Sequence, residues 1–328
     1  MHVVIKGAGV AGLAVAHEIV SHGFAVDVVE TAPEIGAGAS WLAGGMLAPW
    51  CERESADAQV LDQGRMAADW WEAAVPGEII RKGTLVVAQP RDMSELARFA
   101  SRTSGFEWLD EVGIGELEPV LAGRFRKGLF FRGEAHLDPR RALQALQRSL
   151  QSRGVGFHFG ANRDVGEPDH VIDCTGSGAI GKLDRLRGVR GEMLHLESGE
   201  IGLSRPVRLL HPRHPIYVVP RERYRFMVGA TMIESDANRP PTARSLMELL
   251  NAAYALHPAF GEACVIETGA GVRPAFPDNV PRVFQVGRVL HVNGLYRHGF
   301  LLAPAMAQRV CELLKEPLMK RAMMGATP

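Results

Sequence analysis

Three glycines near the start of the sequence have the spacing of a site that binds phosphate groups. Gly7, Gly9 and Gly12 form a Gly-x-Gly-x-x-Gly pattern after a short apolar run. In this pattern the first glycine permits a tight turn, the second lets the backbone approach a pyrophosphate, and the third allows close helix–strand packing. The N–H groups that open the next helix, at Val10 and Ala11, favour an anion. The pattern therefore predicts a dinucleotide site.

Glu30 has the type and position of a residue that holds a ribose. It ends the second apolar run, where a carboxylate can accept hydrogen bonds from both ribose hydroxyls. A carboxylate at this position also disfavours a 2′-phosphate, which argues against NADP. The glycine pattern and Glu30 do not distinguish FAD from NAD, so the rest of the sequence must do so.

Residues 2–30 are predicted to form the βαβ unit that positions these groups. Residues 3–5 are an apolar run suited to a buried strand, and residues 24–30 form a second run rich in β-branched side chains. The apolar residues between the runs have helical spacing, and Gly23 is expected to end that helix. Residues 31–50 are rich in Gly, Ala and Ser and are predicted as a long loop.

The α/β pattern returns later in two further pieces. Residues 138–154 predict a helix, with Asp138 as its N-cap and Pro139 in its first position. Near the C-terminus a helix is predicted from Pro304 to Leu314. Strands are expected near residues 155–159, 170–174, 283–286 and 289–292.

A different pattern separates these pieces. Residues 216–220 and 224–231 predict two antiparallel strands across a short turn, and residues 242–256 predict a helix capped by Thr242. We therefore predict a mixed fold class, α/β plus α+β, in which a Rossmann-like nucleotide-binding domain is interleaved with an antiparallel-sheet substrate domain. The first domain is expected to comprise residues 1–75, 133–188 and 265–328, and the second residues 76–132 and 189–264.

Composition and charge argue against several classes of partner. The 328-residue chain has 37 Lys plus Arg and 37 Asp plus Glu, so its formal net charge is zero and a nucleic-acid or membrane-binding surface is not expected. No apolar run has membrane-spanning length, and the strand pattern at His2 leaves no room for a cleavable signal peptide. The four cysteines are far apart and typical of reduced thiols, and the histidines lack metal-ligand spacing. We expect a cytoplasmic protein without a metal site; a homo-oligomer stays open.

Five segments occur in an order that resembles the D-amino-acid oxidase superfamily of flavoproteins. The resemblance covers essentially the whole chain and implies that the nucleotide-binding domain binds FAD. It also implies that the second domain binds the substrate. The segments are residues 39–47, 217–220, 228–231, 271–274 and 294–304.

The resemblance implies where FAD lies along the chain. Its adenosine end would lie at Gly7–Gly12, Glu30 and Thr31, and Arg163 would contact the adenine through its backbone. Thr175 and Gly176 would end the strand that faces the cofactor. The flavin ring would be lined by Ala39, Ser40, Gly44, Gly45 and Met46. Its pyrimidine side would be followed by Leu295, Tyr296, Arg297, His298, Gly299, Phe300 and Leu301.

The end of the chain also suits a flavin on physical grounds. Gly299 leads into the C-terminal helix, with Pro304 expected near the start of that helix. A helix N-terminus aimed at the N1–C2=O edge would stabilise the negative charge of the reduced flavin.

The resemblance implies three residues for the substrate. Arg273 would bind a carboxylate, which the bidentate guanidinium fork does well, and Tyr217 would donate a hydrogen bond to the same group. Arg297 would be a second arginine near the substrate. Met46 and Met232 are expected to form apolar walls that keep the pocket small, which favours glycine or sarcosine.

The implied reaction is FAD-dependent oxidation of glycine, or of another small or N-substituted amino acid, to the imine, with O₂ reduced to hydrogen peroxide. The resemblance further implies that the imine feeds thiazole formation in thiamine biosynthesis. Sarcosine or D-amino-acid oxidation, a dehydrogenase with another electron acceptor, and a flavin-binding protein without turnover remain alternatives. An aromatic hydroxylase of related fold would carry Gly-Asp where this chain has Asn293, Gly294 and Leu295.

Overall fold

The computed structural model describes residues 1–160 and 165–324, so Arg163, which the resemblance places at the adenine, lies outside the described residues. Within these ranges the chain forms eighteen β-strands and nine α-helices. The strands are β1 His2–Lys6, β2 Ala25–Glu30, β3 Met46–Leu47, β4 Ile79–Ile80, β5 Thr84–Ala88, β6 Glu107–Asp110, β7 Lys127–Phe131, β8 Ala135–Leu137, β9 Gly156–Phe159, β10 His170–Asp173, β11 Arg187–Glu197, β12 Val207–Leu210, β13 Ile216–Arg221, β14 Arg225–Gly229, β15 Ile233–Glu234, β16 Cys264–Ala275, β17 Arg282–Val286 and β18 Val289–Asn293. The helices are α1 Val10–Ser21, α2 Pro49–Glu52, α3 Ala58–Gly64, α4 Ala67–Ala74, α5 Met93–Arg102, α6 Glu111–Leu117, α7 Pro139–Ser152, α8 Ala243–Leu256 and α9 Gly299–Met324.

A six-stranded sheet carries the glycine pattern. Its strand order is β17-β18-β10-β1-β2-β9, and every neighbouring pair is parallel except β17 with β18. The central strand β1 is fully buried at Val3 and Ile5, as a strand covered on both faces should be. The βαβ unit over residues 2–30 and the four later strands are confirmed, and so is the Rossmann-like α/β character.

The turn between β1 and α1 requires glycine for a steric reason. A Cβ atom at Gly12 would lie 1.9 Å from the carbonyl oxygen of Gly7, which itself adopts a φ of +100°. No side chain fits at that distance, so Gly12 lets α1 begin close against the end of β1. The sequence pattern thus predicted both the place and the cause of this turn.

A second, nine-stranded sheet is mainly antiparallel. Its order is β15-β11-β14-β13-β12-β5-β7-β6, with β16 also paired to β11, and only β12 and β5 run parallel. The predicted antiparallel pair is confirmed as β13 and β14, with Tyr217 opposite Gly229. A short third sheet, β3-β8-β4, lies in the segments that connect the two large ones. The predicted mixture of α/β and α+β structure is therefore present.

The division into two interleaved domains stays a proposal. The predicted boundary places residues 265–275 with the nucleotide-binding domain, whereas these residues form β16 and pair along nearly the whole of β11. Their hydrogen-bonding partners therefore belong to the nine-stranded sheet. We propose the same two domains with β16 assigned to the substrate domain.

Two helix starts agree with the sequence. The Asp138 carboxylate accepts the N–H groups of Arg140 and Arg141 at the start of α7, with Pro139 in the first position. The Thr242 hydroxyl caps α8 by accepting the N–H of Ser245. Both caps satisfy backbone donors that have no partner inside the helix.

The C-terminal helix begins earlier than predicted. α9 starts at Gly299, so Pro304 lies inside the helix rather than near its first residue. Proline has no N–H, which leaves the carbonyl of Phe300 without its helical donor. The indole N–H of the fully buried Trp71 donates to that carbonyl at 2.8 Å. This distant partner lets the helix continue through the proline.

The segment predicted as a loop over residues 31–50 is partly regular. It contains a 3-10 turn at Ala39–Leu42, the short strand β3 and the first residues of α2. The turn is bonded to α7, because Arg140 donates from Nε to the carbonyl of Trp41 at 3.1 Å. Tertiary contacts, which the Gly- and Ala-rich sequence does not reveal, therefore order this segment.

Candidate active site

One cavity brings together residues from both large sheets and from the segment at 36–46. Most of the predicted site residues line it, although they come from distant parts of the sequence. Gly12 and Thr31 do not line it: Gly12 packs against the turn, and the Thr31 hydroxyl donates to Glu30 at 3.1 Å. The predicted residues that line the cavity are Gly7, Gly9, Val10, Ala11, Glu30, Ala39, Ser40, Gly44, Gly45, Met46, Thr175, Gly176, Tyr217, Arg273, Leu295, Tyr296, Arg297, His298, Gly299, Phe300 and Leu301.

The N-terminus of α1 forms one end of the cavity. The helix begins after Gly9, without a side-chain cap and without an acidic residue in its first turn. Ser40 Oγ accepts the N–H of Val10 at 3.1 Å, and Glu30 Oε2 accepts the N–H of Ala8 at 2.9 Å. Because the first N–H groups of a helix have no helical partner, this end of the cavity favours an anion.

Two arginines outside the cavity hold the segment that forms its middle. Arg221 donates to the carbonyl of Gly44 at 2.8 Å, and its own pKa is lowered by burial to about 10. Arg140 bonds the carbonyl of Trp41 and makes a bidentate pair with Glu267, at 2.8 and 2.6 Å. These contacts fix the backbone of the segment from behind.

Arg273 and Tyr217 line the cavity from β16 and β13 of the nine-stranded sheet. Arg273 donates from Nη1 to the carbonyl of Thr231 at 3.1 Å. Within residues 1–160 and 165–315 it has no carboxylate partner. Burial raises the pKa of the Tyr217 phenol, and the nearby Arg273 charge only partly opposes this effect. The phenol therefore stays protonated at neutral pH and can donate a hydrogen bond.

Gly191 on β11 gives the Arg273 side chain its place. A Cβ atom at Gly191 would lie 2.1 Å from Nη2 of Arg273. Any side chain at this position would push the guanidinium out of its position. The role of Gly191 has no local sequence signal, because it depends on the pairing of β11 with β16.

A partly buried ion cluster, formed by Glu52, Arg208 and Arg297, lies near Tyr217. Glu52 Oε1 lies 3.2 Å from Nη1 of Arg208, and Oε2 lies 2.8 Å from Nε of Arg297. The second contact is an ion pair whose angle is not that of a hydrogen bond. Burial opposes ionisation of Glu52, but Arg297, Arg208 and His298 outweigh it and hold its pKa at about 2.

Glu52 and Arg208 were missed by sequence reasoning. The only local signal for Glu52 is an acid directly after the apolar residues 46–51, and Arg208 lies in an ordinary strand. Both line the cavity, with 16% and 15% of their side-chain surface exposed. His298 completes this wall; burial lowers its pKa to about 4, so its ring is neutral near pH 7.

Met232 lies at the mouth of the cavity, and 53% of its surface is exposed. Its sulfur accepts hydrogen bonds from the Tyr296 hydroxyl at 3.4 Å and from Nη1 of Arg297 at 3.7 Å. Arg297 also donates to Ser55 Oγ at 2.6 Å. Met46 is half-buried further inside. Both methionines that were expected to form apolar walls therefore line the cavity, and Met232 lies at its entrance.

Residues 1–160 and 165–324 carry neither a membrane-spanning helix nor a metal cluster. None of the helices there combines the length and the apolar composition needed to cross a bilayer. The same residues contain no group of three or more His, Cys, Asp or Glu side chains placed to hold a metal ion.

The chain belongs to the FAD dependent oxidoreductase family, which matches residues 2–313, and its cofactor is FAD. A protein of Rhizobium etli, provisionally named thiamine biosynthesis oxidoreductase ThiO, is 67% identical over 318 residues, covering 96% of each chain. Glycine oxidase of Bacillus licheniformis is 27% identical over 346 residues, covering 95% of this chain and 92% of that protein. The crystal structure of glycine oxidase from Geobacillus kaustophilus has the same fold, with a TM-score of 0.81 at 23% identity, covering 95% of this chain and 94% of that one. The predicted fold, cofactor and enzyme class are thereby confirmed.

Proposed function

We propose that FAD lies along the cavity, with its pyrophosphate at the N-terminus of α1 and its ribose at Glu30. The first turn of α1 has no side-chain cap from Gly9 and no acidic residue, which supports the first contact. The N-terminus of α9 at Gly299 supports the position of the ring, because its first turn also lacks acidic residues. The other proposed cofactor contacts are the predicted residues that line the cavity.

We propose that the protein oxidises glycine to its imine, with O₂ as the electron acceptor and hydrogen peroxide as the second product. The observation that carries this proposal is the guanidinium of Arg273, which lines the cavity without a carboxylate partner among residues 1–160 and 165–315, together with the protonated phenol of Tyr217. A half-buried cation that contacts a backbone carbonyl but no carboxylate is suited to the carboxylate of an amino acid.

The proposed residues orient the substrate rather than exchange protons with it. Arg273 and Tyr217 hold the carboxylate, which fixes the direction of the Cα–H bond. FAD, when bound, supplies the acceptor for the hydride that leaves Cα. The N-terminus of α9 places partial positive charge near Gly299, which would stabilise negative charge on a flavin ring held there. Arg297 also lines the cavity and contacts Met232 at its entrance.

The names of the relatives support the substrate and its use. Two of them are called glycine oxidase, and the protein from Rhizobium etli is named for thiamine biosynthesis. We propose that the glycine imine made by this protein supplies thiazole formation, and that the reaction takes place in the cytoplasm.

A visible spectrum of the purified protein, followed by anaerobic addition of glycine, sarcosine or D-alanine, tests this proposal. Glycine should bleach the oxidised flavin bands most strongly, and admission of air should restore them with one peroxide formed per flavin. Bleaching without recovery in air would show that O₂ is not the electron acceptor and that the protein is a dehydrogenase. Stronger bleaching by sarcosine or D-alanine would change the substrate, and no bleaching by any of the three would refute amino-acid oxidation.

Matched variants connect the reaction to the proposed residues. Tyr217→Phe removes one hydroxyl from the carboxylate site and keeps the ring that packs beside Gly229. We expect a higher KM for glycine, by roughly tenfold, with the flavin spectrum unchanged. Tyr254→Phe is the control, because Tyr254 is exposed on α8, outside the cavity lining.

A further inference from the structure

The three arginines that line the cavity differ in their partners. Arg208 and Arg297 both contact the carboxylate of Glu52, one at each oxygen. Among residues 1–160 and 165–315 Arg273 forms no ion pair, and its guanidinium donates to the carbonyl of Thr231. The cavity therefore offers three guanidinium groups to an anion, but an internal carboxylate already occupies two of them.

Glu52 competes for these two arginines from a fixed position. Its backbone belongs to α2, which begins at Pro49 and is held by the bond from the Cys51 N–H to the buried Glu134, at 2.8 Å. A tethered carboxylate between two guanidiniums acts at a high effective concentration, which a free anion must overcome. An incoming second carboxylate would also meet the Glu52 charge at close range.

We propose that Glu52 determines the substrate specificity of the site, admitting amino acids with one carboxylate and rejecting those with a second anionic group. This inference rests on the proposed function, because it takes Arg273 as the anchor of the first carboxylate. Glu52 excludes the second by occupying Arg208 and Arg297 and by repelling like charge. Specificity here comes from an element that works against the wrong ligand.

Binding of acetate and malonate to the FAD-loaded protein tests the inference without turnover. The two ligands differ by one carboxylate, and calorimetry or the shift of the flavin spectrum reports their dissociation constants. In the natural protein malonate should bind no more tightly than acetate. In Glu52→Gln the dissociation constant of malonate, divided by that of acetate, should fall by roughly tenfold or more relative to the natural protein.

Glu54→Gln is the matched control. It removes the same charge two residues away, from a side chain that pairs with Arg102 at 3.7 Å and does not line the FAD cavity. The ratio of dissociation constants should stay at the natural value. Glu52→Asp keeps the charge and should also stay closer to the natural ratio than Glu52→Gln.

The outcomes separate this inference from the proposed function. If acetate does not bind, or binds equally to Arg273→Ala, the carboxylate anchor itself is wrong. If acetate binding depends on Arg273 but Glu52→Gln keeps the natural ratio, only the role of Glu52 is refuted. If Glu52→Gln fails to fold, the natural protein still decides, because tenfold tighter binding of malonate than of acetate would refute the inference.

Discussion

Trp71 is predicted to stabilise the protein by replacing the hydrogen bond that Pro304 cannot make. The indole N–H donates to the carbonyl of Phe300 at 2.8 Å, and the Trp71 side chain is completely buried. Trp71→Phe keeps an aromatic ring but leaves this carbonyl without a donor. An unsatisfied buried polar group costs about 1–3 kcal/mol, and the lost ring volume adds about 1–2 kcal/mol. The free energy of unfolding should therefore fall by about 2–5 kcal/mol.

A double-mutant cycle isolates the hydrogen bond from the lost volume. Pro304→Ala supplies the missing N–H inside α9, so it should partly rescue Trp71→Phe. We expect a coupling free energy of about 1–2 kcal/mol between the two positions. Urea unfolding followed by far-UV circular dichroism, at one fixed FAD concentration, measures all four proteins.

Trp70→Phe is the control for this cycle. Trp70 is the neighbouring buried indole, and its N–H donates to Glu18 instead of to α9. It should show no coupling to Pro304→Ala. If Trp71→Phe and Pro304→Ala are additive within about 0.5 kcal/mol, the proposed exchange of hydrogen-bond donors is wrong.

Three further predictions concern the cavity and its surroundings. Arg273→Ala should raise the KM for glycine roughly a hundredfold, since removing the cation that holds the substrate carboxylate costs about 3 kcal/mol, while FAD retention in the visible spectrum stays unchanged; a near-normal KM would remove Arg273 from the site. Glu30→Ala should weaken FAD binding by roughly tenfold in a flavin-fluorescence titration, without changing the order of preferred substrates, and unchanged retention of FAD would count against the ribose contact. Burial raises the pKa of Glu134 from 4.5 to about 7, so its contribution to stability is complete below about pH 4.5 and is lost as the pH rises through 7. In urea unfolding at pH 8, the free energy of unfolding of Glu134→Gln should therefore exceed that of the natural protein by up to about 3 kcal/mol. This difference should disappear near pH 4.5, and a difference independent of pH would contradict the assignment.

Arginines have two different roles at the cavity: some hold its backbone in place, and one is available to a ligand. Arg221 and Arg140 hold the segment around Gly44 from outside, and their partners are backbone carbonyls and the carboxylates of Asp138 and Glu267. Arg273 lies inside with no carboxylate partner in the described ranges. The sequence shows all three as arginines, and only their surroundings distinguish a structural cation from one that is available to a ligand.

Local chemistry made much of the fold predictable. The turn at Gly7 and Gly12, the cap at Asp138 and the cap at Thr242 depend on contacts within a few residues, so the sequence displays them directly. The family resemblance added Arg273 and Tyr217, which the residues alone did not distinguish from ordinary surface and strand residues. Both line the cavity, while their roles remain proposals.

Tertiary structure alone decided the sheet to which β16 belongs, the residue at which α9 begins and the partners of Glu52. Each depends on groups far apart in the sequence: β16 pairs with β11, Phe300 receives its hydrogen bond from Trp71, and Glu52 meets Arg297. A backbone donor or a charge can be satisfied by any suitable group that folding brings near it, and periodicity carries no record of which one. The sequence by itself therefore determined the nucleotide turn, the helix caps and the order of the elements. Long-range packing decided which arginine of the cavity has no carboxylate partner among residues 1–160 and 165–315.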